Sequence, residues 1–189
     1  MEKRIGGARL VGVCGLMGSG KDTVANLIMA RRPRQMRRYS FARPLKEGVK
    51  AMFGWTDDEI EDRVKKEEVD DFWGFSPRKA MQLLGTEYGR NLLREDLWVH
   101  AAEKYHLTSL EKGQSTIITD VRFENEATWV RNYPDSVLIH VVDPHHPKPE
   151  GEVHPSERGV LFVPHADHLL SNDKNEGIEG LAARLAAIW

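Results

Sequence analysis

The sequence lacks the features that define several classes of protein. It contains a single cysteine, Cys14, so no internal disulfide can form and nothing indicates an oxidising compartment. No apolar run approaches the roughly 20 residues that a membrane-spanning helix needs, and residues 1–7 carry no signal-like hydrophobic stretch. The formal net charge is only −2, from 27 basic and 29 acidic side chains, which creates no global field for a polyanion. We expect a cytoplasmic protein without membrane contact or a polymeric nucleic acid partner.

The chain alternates between short apolar runs and segments in which apolar residues recur at helical spacing. Its 189 residues suffice for one domain with its own hydrophobic core. The runs predict buried parallel strands, and the regularly spaced apolar residues between them predict helices, which together indicate an α/β fold with a parallel sheet flanked by helices. The predicted strands cover residues 9–14, 36–41, 115–120 and 136–142, and the predicted helices begin near residues 23, 45, 76, 98, 123 and 178.

Two stretches interrupt this pattern. Residues 55–71 are dense in carboxylates with few apolar side chains, which predicts a solvated or mobile insert. Residues 143–167 contain five of the nine prolines, and such long excursions from a compact domain are usually functional or disordered. Five histidines crowd residues 145–168, but no cysteine lies nearby, so the composition favours a mobile loop over a zinc site.

The most specific motif is the glycine-rich segment between the first predicted strand and the first predicted helix. Glycines let backbone N–H groups turn inward around an anion, and the following helix directs its positive end at the same point. Lys21 adds a mobile positive charge for the β- and γ-phosphates of a nucleotide. The residues predicted to bind the nucleotide phosphates are Gly15, Met17, Gly18, Ser19, Gly20, Lys21, Asp22 and Thr23.

The hydroxyl of this motif stands one place later than usual. The general pattern has Ser or Thr directly after the lysine to reach Mg²⁺, but here Asp22 intervenes and the hydroxyl belongs to Thr23. Nucleoside monophosphate kinases such as adenylate kinase are similar in this respect, and their threonine can reach the metal through water. The shift favours small-molecule kinases over GTPases and ATPase motors. A dianionic phosphate acceptor needs no strong general base, so the remaining catalytic residues should be arginines.

A second group of polar residues lies on the helix predicted to begin at Ser76 and Pro77, an N-cap followed by a proline at the first helical position. Residues spaced by four share one helical face and can present donors to a ligand. The polar residues with this spacing are Arg78, Gln82, Thr86 and Arg90. The apolar stripe on the other side consists of Met81, Leu84, Tyr88 and Leu92.

Five segments, in this order, resemble the bacteriophage-type deoxynucleoside monophosphate kinases over most of the chain. They are residues 18–23, residues 42–46, residues 78–86 with Trp98 and Val99, residues 120–126, and residues 171–173. The resemblance implies a P-loop kinase fold with ATP and Mg²⁺ as cofactors and a deoxynucleoside monophosphate as substrate, in the host cytoplasm if the gene is phage-encoded. It implies a core of residues 8–41 and 115–189, an acceptor-binding helical part of residues 42–110, and a lid of residues 143–168.

The resemblance also implies roles for residues of the acceptor site. Arg78 looks like the arginine that grips the acceptor phosphate, with Gln82 and Thr86 on the same face, and Trp98 looks like a platform for the base. Stacking on an indole tolerates every base, although core packing is the alternative for Trp98. Lys46 could also reach the acceptor, or it could be a solvated helix lysine.

Asp120 and Arg122 stand where a predicted strand ends, the place where ligands collect in open α/β sheets. Asp120 could hold Mg²⁺-bound water or the sugar, with Thr23 as the other metal residue, and Arg122 could bridge the two phosphates; a structural ion pair is the alternative. By resemblance, Asn172 falls near the adenine of ATP, although Asn-Asp is also an ordinary turn. The catalytic residues would then be Lys21, Arg78, Asp120 and Arg122. The predicted lid holds one arginine, Arg158, and its part in catalysis is not established.

Two other functions stay open at this point. One is a P-loop kinase for another small phosphorylated acceptor, of the phosphomevalonate or dephospho-coenzyme A type. The other is a non-catalytic nucleotide-binding regulator, which would bind ATP without acceptor-dependent turnover. The sequence does not rank the bases or establish a preference for deoxyribose. It also does not determine the oligomeric state, and a homodimer stays open.

Overall fold

The computed structural model describes residues 5–145 and 158–189, and the chain forms two compact units. The first unit consists of residues 1–40 and 102–189, and the second consists of residues 41–101. The functional division into core, acceptor-binding part and lid stays a prediction. Residues 146–157 of the predicted lid, including His146 and His154, lie outside the described residues.

Within the described residues, the first unit contains a five-stranded parallel sheet of order β2-β3-β1-β4-β5. The strands are β1 (Leu10–Cys14), β2 (Met36–Tyr39), β3 (Ser115–Val121), β4 (Ser136–Val142) and β5 (Asp167–Ser171). The first four confirm the predicted strands, whereas β5 was not predicted. It is an edge strand that begins with two polar residues, and Leu169 is exposed while Leu170 is buried, so the sequence contains no apolar run there.

The segments between successive strands up to β4 are mostly helical. The α-helices are α1 (Lys21–Arg31), α2 (Arg43–Phe53), α3 (Asp57–Glu61), α4 (Pro77–Gln82), α5 (Leu97–Glu111), α6 (Glu124–Asn132) and α7 (Gly177–Ala187). A π-helix spans Leu83–Leu93, and 3₁₀ turns span Ile5–Gly7, Lys65–Glu67 and Lys174–Glu176. No helix among the described residues is long and apolar enough to cross a membrane.

The core of the first unit lies on both faces of the sheet, because successive strand residues point to opposite sides. On one face, Val11 and Val13 pack with the buried side chains of α1 and α7. On the other face, α6 packs so closely that a Cβ on Gly12 would lie 3.0 Å from Val130. Helices on both faces explain why the central strands β1, β3 and β4 are buried along almost their whole length. This packing fixes the start of α1 beside the carboxyl end of β1.

Residues 55–71 are solvated, as predicted, since most of them are exposed, but the segment is also folded into the second unit. Thr56 begins α3 with a capping box, in which its Oγ1 accepts from Glu59 N at 3.3 Å and Glu59 Oε2 accepts from Thr56 N at 2.8 Å. Trp55 and Ile60 are buried and pack with Val49 in a second core. The sequence pattern did not reveal this packing, because two apolar side chains are enough to anchor an otherwise charged segment over an existing helix.

The helix after Ser76 begins as predicted, with Ser76 Oγ accepting from Lys79 N at 3.2 Å. It changes its winding after Gln82, where the π-helix begins. Hydrogen bonds in a π-helix run from i to i+5, and the wider turn still leaves residues four apart close to one face. Arg78, Gln82 and Thr86 are half-buried and Arg90 is buried, so the predicted polar face is compatible with the structure, and its role in presenting donors to a ligand stays a prediction.

The exposure of the π-helix residues tests the two predicted faces. Arg90, predicted on the polar face, is buried and donates from Nη1 to Glu95 O at 3.3 Å. Tyr88 and Leu92, predicted in the apolar stripe, are 51% and 75% exposed. The apolar stripe predicted from α-helical spacing is therefore wrong at Tyr88 and Leu92.

Candidate active site

The glycine-rich loop connects the carboxyl end of β1 to the start of α1, and its backbone requires glycine. Gly15, Gly18 and Gly20 have φ angles of +142°, +82° and +98°, a region that residues with a Cβ rarely adopt. A Cβ on Gly15 would collide with Val141 O, and a Cβ on Gly20 would collide with Asn172 Nδ2. The conformation and the close neighbours together exclude larger residues at these positions.

The loop presents hydrogen-bond donors that are not used within the described residues. Gly20 stands at the N-cap of α1, and no side chain caps the helix, so the first N–H groups of α1 have no intrahelical partner. Ser19 is 1% exposed, and its Oγ has no hydrogen-bond partner in the part of the chain that the structure describes. Unused donors at a helix N-terminus are the arrangement that binds phosphate.

Lys21 lies folded back on the loop. Its Nζ donates to Gly15 O at 2.8 Å and to Leu16 O at 2.7 Å. Burial lowers the pKa of Lys21, and the positive charge of Arg122 lowers it further, against the opposing charge of Asp22 and Asp120. These charges act on one another because the first unit brings Lys21, Asp120 and Arg122 together.

The register of the sheet explains this proximity. Cys14 at the end of β1 pairs with Val121 at the end of β3, so Asp120 and Arg122 flank the position where the phosphate loop begins. Glu126 is 1% exposed and accepts from Arg122 N at 2.8 Å and Phe123 N at 3.1 Å. The backbone after β3 is fixed by this buried carboxylate, while the Arg122 side chain is exposed.

Asn172 follows β5 and supports the phosphate loop. Its backbone N donates to Val142 O at 2.8 Å, and its Nδ2 donates to Ser19 O at 2.8 Å. The residue is buried. The predicted contact with adenine stays a prediction, and the observed contact is between the Asn172 amide and the loop backbone.

The remaining predicted site residues belong to the second unit. Arg78 Nε donates to Glu67 Oε1 at 2.8 Å, and Lys46 Nζ donates to Glu61 Oε2 at 2.7 Å. Both cations are mostly buried, with 19% and 28% of their side chains exposed. Lys46 is therefore not simply a solvated helix lysine, because a carboxylate of the segment predicted to be mobile holds it.

Trp98 lies against the π-helix. Its Nε1 donates to Gly85 O at 2.8 Å, and a Cβ on Gly89 would lie 3.0 Å from the indole ring. Gln82, Thr86 and Trp98 are each half-buried. The indole is anchored at its polar edge but keeps part of its surface accessible, so its function as a base platform stays a prediction.

Comparison with known proteins identifies the family. Residues 50–184 match the model of the deoxynucleotide monophosphate kinase family. The chain belongs to this family. A deoxynucleoside-5′-monophosphate kinase of Escherichia phage T5 is 31% identical, over 91% of this chain and 92% of the relative. A protein of Acanthamoeba polyphaga mimivirus described as a deoxynucleotide monophosphate kinase is also 31% identical, over 87% of this chain and 89% of the relative.

The predicted resemblance is thereby confirmed, and the protein is a kinase. Among solved structures, an unliganded sugar kinase of Janibacter sp. HTCC2649 overlaps 96% of this chain and 94% of its own length, with a TM-score of 0.49 and 16% identity.

Sequence reasoning missed a buried ion cluster in the first unit of the kinase. The Asp167 carboxylate is fully buried and accepts from Arg131 Nε at 2.9 Å, from Arg131 Nη2 at 2.8 Å and from Val163 N at 2.8 Å, and it bonds to His140 Nε2 at 2.9 Å. Burial alone would raise the pKa of Asp167, but the hydrogen bonds and charge of Arg131 hold it below the ordinary value. Arg131 also donates to Leu161 O at 2.7 Å. The cluster therefore connects residues 161–163 to β4, β5 and α6. The sequence could not reveal it, because Asp167 belongs to β5, and that strand was not predicted.

The residues of the kinase fit ATP and Mg²⁺. The phosphate loop offers unused donors and Lys21, and Thr23 and Asp120 offer the oxygen ligands that Mg²⁺ prefers. Among residues 5–145 and 158–189, no group of three or more His, Cys, Asp and Glu side chains is arranged to hold a metal. This is compatible with Mg²⁺, which usually takes one or two protein ligands together with substrate phosphates and water.

Proposed function

We propose that this kinase transfers the γ-phosphate of ATP to a deoxynucleoside 5′-monophosphate and releases ADP and the deoxynucleoside diphosphate. The observation that carries the proposal is the phosphate loop, in which the α1 N-terminus, Ser19 and Lys21 present donors to an anion. The relatives from phage T5 and mimivirus supply the acceptor, since both are described as kinases of deoxynucleotides. No observation favours the other two functions that the sequence left open.

The loop and the residues beside it would bind the donor. The backbone N–H groups of residues 18–23 and the α1 N-terminus hold the phosphates, and Lys21 exchanges its two loop carbonyls for phosphate oxygens. Thr23 and Asp120 would hold Mg²⁺, which supplies neutralising charge for the phosphates. The Arg122 side chain is exposed beside Lys21 and places positive charge next to the γ-phosphate that is transferred.

The second unit would bind the acceptor. Arg78 and Lys46 hold its phosphate, Gln82 and Thr86 contribute hydrogen bonds, and Trp98 stacks on the base. An oxygen of the acceptor phosphate attacks the γ-phosphorus, and the bond from that phosphorus to the β–γ bridging oxygen breaks. The electron pair leaves with ADP, so the protein needs only to position and neutralise the reactants.

Product analysis tests the proposal. The protein is incubated with ATP, Mg²⁺ and each of the four common deoxynucleoside monophosphates, and the nucleotides are resolved by chromatography. We expect a diphosphate from at least one acceptor, and no diphosphate from any of the four would refute the function. Lys21→Ala should abolish transfer without changing the circular dichroism spectrum, whereas Lys112→Ala, at an exposed lysine outside the site, should have wild-type activity.

Trp98 distinguishes a nucleotide acceptor from one that lacks a base. We expect Trp98→Ala to raise the KM for the deoxynucleotide and leave the KM for ATP unchanged. Trp98→Phe keeps an aromatic face but loses the donor to Gly85 O, so it should retain most of the acceptor affinity. Equal effects of both substitutions would assign Trp98 to packing rather than to base binding.

A further inference from the structure

An ion pair joins the edge strand β2 to the first turn of α1. Arg38 on β2 donates from Nη2 to the Asp22 carboxylate and from Nη1 to Asn26 Oδ1 at 3.3 Å. Asp22 and Asn26 are four residues apart and therefore lie on the same side of α1, where the guanidinium bridges them. Arg38 was not among the residues predicted for the site, whereas Asp22 was predicted to bind the nucleotide phosphates.

The strand geometry of β2 explains why Arg38 reaches this turn. Met36 is buried and belongs to the core cluster that contains the buried residues of α1, and side chains two positions apart on a strand point to the same face. Arg38 therefore points towards α1 as well. Because β2 runs parallel to β1 through β3, its later residues lie nearer the end of the sheet where α1 begins. The neighbouring Arg37 points to the opposite face and donates to Gln114 Oε1 at 3.0 Å.

The Asp22 carboxylate is an unfavourable group beside a phosphate site. It directly follows Lys21 in the first turn of α1. Burial lowers the pKa of Lys21 and the charge of Asp22 opposes that shift, so the carboxylate acts on the cation that would hold the phosphates. The backbone N–H of Asp22 can donate to a phosphate, but its ionised carboxylate only accepts hydrogen bonds and repels phosphate oxygens.

The pair with Arg38 controls this carboxylate. The Asp22 side chain is 76% exposed, so burial does not hold it in one orientation. The Arg38 side chain is only 38% exposed and is also bonded to Asn26, so the guanidinium is held at two points of α1. The bond to Arg38 directs the Asp22 carboxylate towards β2 and neutralises its charge.

We infer that Arg38 is a positioning residue for the donor nucleotide, which pairs with Asp22 and thereby removes the repulsion between that carboxylate and the phosphates bound by the loop. The inference rests on the proposed function, because it takes ATP to occupy the loop. Arg38 acts through Asp22 and does not itself contact ATP. The pair explains how the loop accommodates an acid at the position where the general pattern has Ser or Thr.

Calorimetric titration with ATP and Mg²⁺ tests this role. The Kd for ATP is measured for wild type, Arg38→Gln, Asp22→Asn and the double variant. Arg37→Gln is the matched control, because it removes the same charge from the same strand on the opposite face. We expect Arg38→Gln to raise the Kd about three- to tenfold at low ionic strength and by less at about 0.5 M salt, which screens exposed charges. Adding Asp22→Asn should return the Kd of Arg38→Gln to within about twofold of wild type, and Arg37→Gln should have no effect.

The double-mutant cycle separates pairing from independent effects of two charges. If Asp22 repels ATP only when Arg38 is absent, Asp22→Asn should lower the Kd by a larger factor in the Arg38→Gln protein than in wild type. Equal factors in the two backgrounds would mean that the charges act independently, which overturns the inference. A wild-type Kd for Arg38→Gln overturns it as well.

Thermal unfolding separates this role from a structural one. Exposed ion pairs contribute little to stability, so the melting temperature of ligand-free Arg38→Gln should stay close to that of wild type. A pair that only supports the fold would lower the melting temperature of Arg38→Gln and of the double variant alike, and Asp22→Asn would not restore ATP binding. That result also overturns the inference.

Turnover distinguishes failure of the inference from failure of the proposed function. In an active enzyme, Arg38→Gln should raise the KM for ATP and leave the KM for the deoxynucleotide unchanged. If wild type forms diphosphates but Arg38→Gln binds ATP as wild type does, the inference is wrong and the function stands. If wild type binds ATP but forms no diphosphate, the proposed function fails and the cycle still decides the inference. A wild-type protein that does not bind ATP overturns both.

Discussion

Asn172→Ala removes the side-chain donor that supports the phosphate loop from β5. In the wild type, Asn172 Nδ2 donates to Ser19 O at 2.8 Å, and the amide lies against Gly20, where the loop has a φ of +98°. The substitution leaves the buried Ser19 carbonyl without this partner and opens space beside Gly20. We therefore expect the loop to lose both stability and its fixed geometry.

The size of the expected stability loss follows from the burial of the hydrogen bond between Asn172 and Ser19. A buried acceptor deprived of its donor costs about 1–3 kcal/mol. For a chain of this size, each kcal/mol corresponds to about 2–4 °C in melting temperature, so the midpoint should fall by about 2–12 °C. Displacement of catalytic groups by about 1 Å can cost about 100-fold in rate, and we expect kcat/KM for ATP to fall by about 10- to 100-fold.

The assay compares two donor nucleotides. If Asn172 acts by supporting the loop, Asn172→Ala should lower kcat/KM for ATP and GTP by the same factor, because both present the same triphosphate. If Asn172 reads adenine, as the resemblance implies, the loss should be confined to ATP. Asn175→Ala, at an exposed asparagine in the next turn, is the control and should change neither stability nor activity.

The reasoning would be refuted by an Asn172→Ala protein with wild-type melting temperature and wild-type kcat/KM for both nucleotides. A loss specific to ATP, with unchanged stability, would contradict the supporting role and assign the residue to the base. Asn172→Asp provides a second measurement, because it keeps the size of the side chain but cannot donate to Ser19 O. It should resemble Asn172→Ala.

Three further predictions follow from the first unit. Because burial and Arg122 lower the pKa of Lys21, its positive charge should be lost at a lower pH than that of an ordinary lysine. The Kd for ATP, measured from about pH 7 to 10, should therefore rise in wild type. It should stay flat in an active Lys21→Arg variant. Arg131→Gln leaves the buried Asp167 carboxylate without its cation, so urea unfolding should show a loss of about 3–5 kcal/mol. The lowered pKa of Asp167 gives stability above the ordinary carboxyl pKa that is lost as pH falls through the folded value, so acid unfolding of Arg131→Gln should begin at a higher pH than that of wild type.

The local features of the kinase could be predicted from the sequence because they depend on neighbours in the chain. The strand, glycine loop and helix of residues 10–31 follow from apolar runs, from the freedom of glycine and from helical spacing, and the structure confirms these elements. The start of α4 follows in the same way from Ser76 and Pro77. The family also followed from short motifs in a fixed order.

Features that depend on distant partners could not be predicted. The edge strand β5 is held by its pairing with β4 and not by an apolar run of its own. Tyr88 and Leu92 lie in a π-helix and are exposed, although their spacing is that of the apolar side of an amphipathic α-helix. The segment of residues 55–71 folds because Trp55 and Ile60 find partners in the second core.

The sequence by itself therefore determined the phosphate loop, the order of the central strands along the chain and the family of the kinase, since each depends on residue types at short spacing. Only the tertiary structure decided which side chains act on one another. Asn172 reaches a loop about 150 positions earlier in the chain, and Asp167 joins Arg131 and His140. These contacts depend on the pairing of strands and the packing of helices, which short-range periodicity does not encode.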